Sequence, residues 1–201
     1  MSAKAEILAR VRSALGPSPV VPDVPRAYRA AGSIGSEGVV DRFCETVAEY
    51  RATVHRTDDV AATVRAILGE GKRIGVPAGF QDVGLPVIED HGLSVPELDT
   101  LDAVVTGSAL AIADTGTIVL VSGEASGRRA LTLVPDIHVC IVRAESVVAS
   151  VPDAIAALGP DAPVTFVSGP SATSDIELDR VEGVHGPRQL HVIVLEATRR
   201  A

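Results

Sequence analysis

The apolar positions follow two rhythms. Between Ala3 and Leu15, the residues Ile7, Leu8, Val11, Ala14 and Leu15 recur at three- and four-residue steps, with Lys4, Glu6, Arg10 and Arg12 mostly elsewhere. That spacing predicts an amphipathic helix, ended by Gly16-Pro17. Pro17, Pro19, Pro22 and Pro25 follow, which exclude regular helix and central strand and leave an extended, semi-rigid linker. The expected organisation is an N-terminal helix and Pro-rich linker over residues 1–31, free to dock on a partner, and one domain over 32–201.

From Glu37 onward short apolar runs alternate with helical patterns. A helix is expected near Val39–Tyr50, with Val40, Phe43, Val47 and Tyr50 inward, and a strand near Thr53–Arg56. A helix capped by Asp58 or Asp59 should run to Leu68, closed by Gly69 and Gly71. Arg73–Val76 reads as a strand, Pro86–Asp90 and Glu97–Asp102 as short helical pieces, and Ala103–Thr106 as a strand. Leu110–Ala113, Thr117–Val121, Ala130–Val134 and His138–Arg143 are β-rich, with little room for helices between them, which suggests antiparallel pairing. Ser146–Leu158 reads as a helix, Pro163–Val167 as a strand, Ser174–Val181 as a helix and Leu190–Leu195 as the last strand. The fold class that follows is α/β: a mixed, mostly parallel sheet with helices on both faces and a β-rich antiparallel insert.

Composition narrows the core. The chain is 46% hydrophobic but 2% aromatic, with no Trp, so its interior is built from Val, Ile, Leu and Ala, the residues of strands buried on both faces. A net charge of −8, with Lys72-Arg73, Arg128-Arg129 and Arg199-Arg200 as the only adjacent basic pairs, argues against nucleic acid and anionic membrane surfaces. No apolar run approaches the ~20 residues of a membrane span. Cys44 and Cys140 lack C-x-x-C spacing, so no iron–sulfur cluster or structural zinc site is expected on this chain. With no signal peptide, these features point to a reducing, cytoplasmic setting.

Four constellations could carry chemistry. Val167-Ser168-Gly169-Pro170-Ser171-Ala172-Thr173 leads from a strand toward a helix, where Ser174 and Glu177 have capping-box spacing; it is either an anion-holding loop or a capped turn. Glu182-Gly183-Val184-His185-Gly186-Pro187-Arg188 is a tight turn. There His185 could exchange protons and Arg188 clamp a carboxylate, or the turn is purely structural. Ile112-Ala113-Asp114-Thr115-Gly116-Thr117 has the aspartic-protease triplet without the second carboxylate that chemistry needs, so a hairpin turn is the better reading. Gly123–Arg129 is a polar loop whose Arg128 and Arg129 are either anion ligands or a solvated pair. His55, His91, His138 and His191 show no metal-ligand spacing.

Taken together, residues 168–177 and the run Val181-Glu-Gly-Val-His-Gly-Pro-Arg-Gln-Leu-His-Val resemble the C-terminal signature of the LUD family. The runs Ala113-Asp-Thr-Gly-Thr and Gly127-Arg-Arg-Ala-Leu-Thr-Leu-Val-Pro-Asp-Ile-His resemble its central block. Ile7-Leu-Ala-Arg-Val-Arg-Ser-Ala-Leu-Gly is similar to its lactate utilization C branch. Many members carry Glu where this chain has Asp114, which keeps the charge and shortens its reach.

The resemblance implies the ribose-5-phosphate isomerase/CoA-transferase fold group, with ligands at Gly-rich loops over strand ends. It also implies a protein that acts with two iron–sulfur partners in oxidising L-lactate to pyruvate. A free-standing isomerase or CoA transferase and a non-catalytic assembly module are the alternatives. The expected site gathers Thr106, Gly107, Thr115, Gly116, Arg128, Arg129, Gly169, Ser171, Thr173, Gly186 and Arg188 in one pocket for a small anion. His185 or Asp114 would handle protons there; metal ligands are not expected and the cofactor is left open.

Overall fold

The structure is a computed structural model that describes residues 2–32, 35, 37–80, 83–159, 163–173, 181–182 and 185–196. Helix α1 (Ala3–Leu15) forms where its periodicity places it, and none of its residues is buried. Helix α2 (Val39–Glu49) turns Phe43 and Val47 into the core, whereas Tyr50, just past its end, stays exposed. Strand β1 (Thr53–Thr57) leads into α3 (Val60–Leu68), whose start is fixed by Asp59 accepting the Ala62 N–H at 2.9 Å.

Strands β2 (Ile74–Pro77) and β3 (Ile88–Asp90), helix α4 (Val95–Leu98) and strand β4 (Ala103–Gly107) follow. The antiparallel pair β5 (Leu110–Ile112) and β6 (Thr117–Val121) comes next, then β7 (Ile137–Arg143) and β8 (Val147–Val148). Helix α5 (Val151–Ala157), β9 (Val164–Val167), the two-residue β10 (Ala172–Thr173) and β11 (Val181–Glu182), and β12 (Gln189–Leu195) complete the chain.

Six strands form one wholly parallel sheet in the order β1-β12-β7-β4-β2-β3. Alternation along β7 and β12 sorts its two faces. Cys140, Val142, Val192 and Val194 pack with Phe43 and Val47 of α2, while Val139 and Ile193 pack with Val64 and Leu68 of α3. Helices therefore cover both faces. The second, mixed sheet, in the order β8-β5-β6-β9, is sandwiched in turn. Ala111, Ile118 and Leu120 join the α2 layer, and Leu110, Ile112 and Val119 face Ala154 of α5. Each fully buried branched side chain contributes roughly 1.5–3 kcal/mol, so this double alternation accounts for much of the driving force.

The middle of the chain departs from expectation. Ala130–Val134 is a chain of tight turns, with the Leu131 N–H donating to Arg128 O and those of Leu133 and Val134 to Ala130 O. Its alternation arises because Leu131 buries against Leu98 and Val104 while Leu133 stays exposed. His138–Arg143 belongs to the parallel sheet, between β4 and β12, and not to an antiparallel insert. Ile88–Asp90 is a strand on β2, not a helical piece. The 146–158 helix splits, since Val147–Val148 pairs with β5 and the helix starts only at Val151, after the Ser150/Asp153 capping box. The helix expected from Ser174 lies outside the described residues, apart from Val181, which pairs as strand with Thr173.

Candidate functional site

Five of the predicted residues line one cavity of about 270 Å³: Arg129, Gly169, Ser171, His185 and Gly186. It lies at the amino ends of β7 and β12, under His138 and Leu190, and is walled by Phe166–Ser168 at the end of β9. The Gly169 φ of +87° lets the chain pass where a Cβ would come within 2.4 Å of the Tyr50 carbonyl oxygen. The loops are tied together at Ser171, whose N–H donates to Pro187 O at 2.8 Å and whose Oγ accepts the His185 N–H at 3.0 Å.

Arg129 is the charge in this cavity. Its Nη1 donates to Thr132 Oγ1 at 3.0 Å, and among the described residues no carboxylate pairs with it. Desolvation lowers its pKa, but an arginine there remains a cation. Behind it His138 is 3% exposed, its Nε2 2.8 Å from Thr106 Oγ1. Burial pushes His138 down to about 4, and the nearby Arg129 charge acts in the same direction, so the ring is neutral near pH 7. A hydroxyl chain runs from Thr115 through Thr117 to Ser168, each step 2.7 Å, and ends on the cavity wall. A guanidinium without a carboxylate partner among the described residues, two serine hydroxyls and a neutral imidazole form a set of groups suited to a carboxylate or phosphate.

The other predicted residues go elsewhere. Arg128 is committed to Asp90, donating from Nε at 2.7 Å and Nη2 at 2.9 Å, and also to Leu93 O. Arg188 is committed to Asp136, at 2.6 and 2.9 Å. Asp114 accepts Arg42 Nε at 3.0 Å and does not line this cavity. Gly116 lies against Thr46 and Val47 of α2, where a Cβ would meet backbone at 2.6 Å. Thr106 is an interior partner of His138, and Thr173 sits in β10. Gly107 lines a second, larger cavity of about 400 Å³ at the carboxyl ends of the parallel strands. The single pocket expected from sequence is therefore two, at opposite ends of the parallel strands, and Arg128 and Arg188, held by Asp90 and Asp136, line neither. Thr132 and His138, the latter at the start of β7, are not among the residues expected at the site; the one available signal is their closeness in sequence to Arg129. Among the described residues no cluster of three His, Cys, Asp or Glu is placed to hold a metal, and no helix is long and apolar enough to cross a membrane.

Comparison with known proteins agrees with this architecture. The family model described as LUD domain matches residues 94–195. Lactate utilization protein C of Deinococcus radiodurans is 39% identical over 96% of this chain and 95% of its own. The protein of the same name from Halalkalibacterium halodurans is 34% identical over 51% of this chain and 47% of its own. The crystal structure of a DUF162 family protein from Deinococcus radiodurans superposes with a TM-score of 0.67 at 35% identity, covering 82% of this chain and 99% of that one. The chain belongs to the LUD domain family, on the branch that carries the name lactate utilization protein C.

Proposed function

We propose that the chain is the C-type subunit of a lactate-utilization system. In this reading it works with iron–sulfur partner proteins in oxidising L-lactate to pyruvate, and the Arg129 cavity receives a small carboxylate or phosphate. The observation that carries the site is Arg129 itself, a guanidinium with no carboxylate partner among the described residues, beside the Ser168 and Ser171 hydroxyls. Such a fork binds a two-oxygen anion through paired, charge-assisted hydrogen bonds. Neutral His138 adds no competing charge, and its Nε2 bond to Thr106 fixes the ring. His185, exposed on the cavity rim, is the proton-handling group. Asp114 is not given that work, being held by Arg42.

The names of the relatives support the lactate setting. Two cysteines without cluster spacing leave the iron–sulfur centres to the partners. Residues 1–31 serve as a docking arm, 32–201 as the ligand domain, and the setting is cytoplasmic. The exposed Ile7, Leu8, Val11 and Leu15 of α1 supply the arm's contact surface.

Calorimetric titration with L-lactate, pyruvate and inorganic phosphate tests the site. Binding by at least one of them is expected, together with its loss in Arg129→Gln and loss of growth on L-lactate in the same variant. Silence from all three anions, or unchanged binding by Arg129→Gln, rejects the reading. Deleting residues 1–31 should abolish co-purification with the iron–sulfur partners.

A further inference from the structure

The larger cavity shares no lining residue with the Arg129 site. It sits on the α3 face of the parallel sheet, where β2, β4, β7 and β12 end, the edge at which open α/β sheets place their ligands. Its floor and walls are apolar: Val60, Val83, Ile141 and Leu195, with Phe80 as its one aromatic ring. The Phe80 ring lies 3.6 Å from the position a Cβ on Gly107 would take, so it is seated against the end of β4.

The lip is the Gly123–Gly127 loop. It is pinned to that strand end by the Gly107 N–H donating to Ala125 O at 2.8 Å and by Ser126 Oγ donating to Gly107 O at 3.2 Å. Two opposite charges reach this cavity, Glu124 from the lip and Arg143 from the end of β7. Neither has an ion-pair partner among the described residues, and they do not pair with each other. Ser108 Oγ, which donates to Ile141 O at 3.2 Å, keeps its lone pairs for a ligand.

These groups select by chemistry. A simple carboxylate gains from Arg143 but is repelled by Glu124. A neutral apolar molecule leaves both charges unanswered. A ligand that satisfies all of them carries a flat ring for Phe80, hydroxyl or amino donors for Glu124, and one anionic group for Arg143. We propose that the carboxyl-edge cavity binds a mononucleotide, its ring in the Phe80 layer, its sugar or base donors on Glu124 and its phosphate on Arg143. A cavity of about 400 Å³ falls in the range of small-molecule and cofactor sites.

The test is calorimetric titration of the full chain with AMP, FMN and ribose 5-phosphate. AMP and FMN carry the same chemistry on different rings, and ribose 5-phosphate lacks the ring. Binding of AMP or FMN is expected, weakened roughly tenfold or more by Arg143→Gln, the size of a lost charge-assisted contact, and weakened also by Phe80→Ala. Arg143 is exposed, so Arg143→Gln should keep the wild-type melting temperature. Arg129→Gln should leave nucleotide affinity unchanged, which separates this cavity from the anion site. The proposal is overturned if neither AMP nor FMN binds at millimolar concentration. It is overturned equally if their affinity survives Arg143→Gln, or if ribose 5-phosphate binds as tightly as the nucleotides.

Discussion

Arg128 grips Asp90 in a two-pronged ion pair, Nε to Oδ2 at 2.7 Å and Nη2 to Oδ1 at 2.9 Å. The Asp90 side chain is only 2% exposed and also accepts the N–H groups of Gly92 and Leu93. Burial alone would push this carboxyl up, but the guanidinium and the two N–H groups outweigh it, and its pKa falls below the ordinary value. The neighbouring Arg129 has no such partner among the described residues.

Adjacent arginines should therefore respond in opposite ways. Arg128→Gln leaves a buried carboxylate half-satisfied and should cost about 2 kcal/mol of stability, with anion affinity unchanged. Arg129→Gln should keep the unfolding free energy from urea within about 0.5 kcal/mol of wild type and abolish anion binding. Urea unfolding and calorimetry on the two variants check both halves, and the reverse pattern would falsify the assignment of charge to the cavity.

Gly169 faces a stricter demand than its turn alone imposes. Its φ is +87°, and a Cβ there would approach the Tyr50 carbonyl oxygen to 2.4 Å and Tyr50 Cβ to 2.8 Å. Backbone cannot yield as a flexible side-chain tip does, so Gly169→Ala should destabilise the chain by about 2–3 kcal/mol. Gly159→Ala, with open space at its Cβ and no positive φ, is the control and should leave the thermal midpoint within about two degrees.

What the sequence made legible follows from the range of the interaction concerned. Helix α1 and the Asp59 cap of α3 rest on contacts within four residues, and the pattern places them correctly. The parallel core is legible because Val, Ile and Leu runs buried on both faces have few other homes. Ala130–Val134 was misread because a tight coil that buries Leu131 and exposes Leu133 has the same period as a strand. The Arg128–Asp90 and Arg188–Asp136 pairs span 38 and 52 residues, and no local pattern announces them. Arg143 and Phe80 meet in one cavity only through the parallel register of β2, β4 and β7, which a single sequence does not encode locally.

The two thiols differ in access. Cys140 is 0% exposed, and burial pushes it up to about 12, so thiolate is scarce at neutral pH. Cys44 is only partly buried, though desolvation raises its pKa as well. Iodoacetamide at pH 8, followed by peptide mass analysis, should modify Cys44 slowly and leave Cys140 untouched in the folded chain, while both react in 8 M urea (roughly a fully denaturing concentration). Labelling of Cys140 without urea would show that the α2 layer opens far more readily than its packing implies.

His138 makes stability depend on pH in a definite window. Its folded-state pKa is about 4 against an ordinary 6.5, so the unfolded chain binds the proton more readily. Neutral His138 therefore favours the native state fully above pH 6.5, and that contribution is lost as pH falls from 6.5 toward 4. The shift corresponds to roughly 3 kcal/mol at 1.36 kcal/mol per pH unit. His55 and His191, whose nitrogens lie 3.2 Å apart, are lowered chiefly by desolvation and act with the same sign, so the wild-type slope is a sum. The difference between wild type and His138→Gln isolates the buried ring. The variant keeps a donor for Thr106 but cannot titrate, so the two urea-derived stabilities should converge by about 2 kcal/mol between pH 7 and pH 4.5, most of the full amount. Parallel curves across that interval would mean that His138 takes up its proton in the native state over the same range as in the unfolded chain, and Arg129 would then share its cavity with a second cation below pH 6.5.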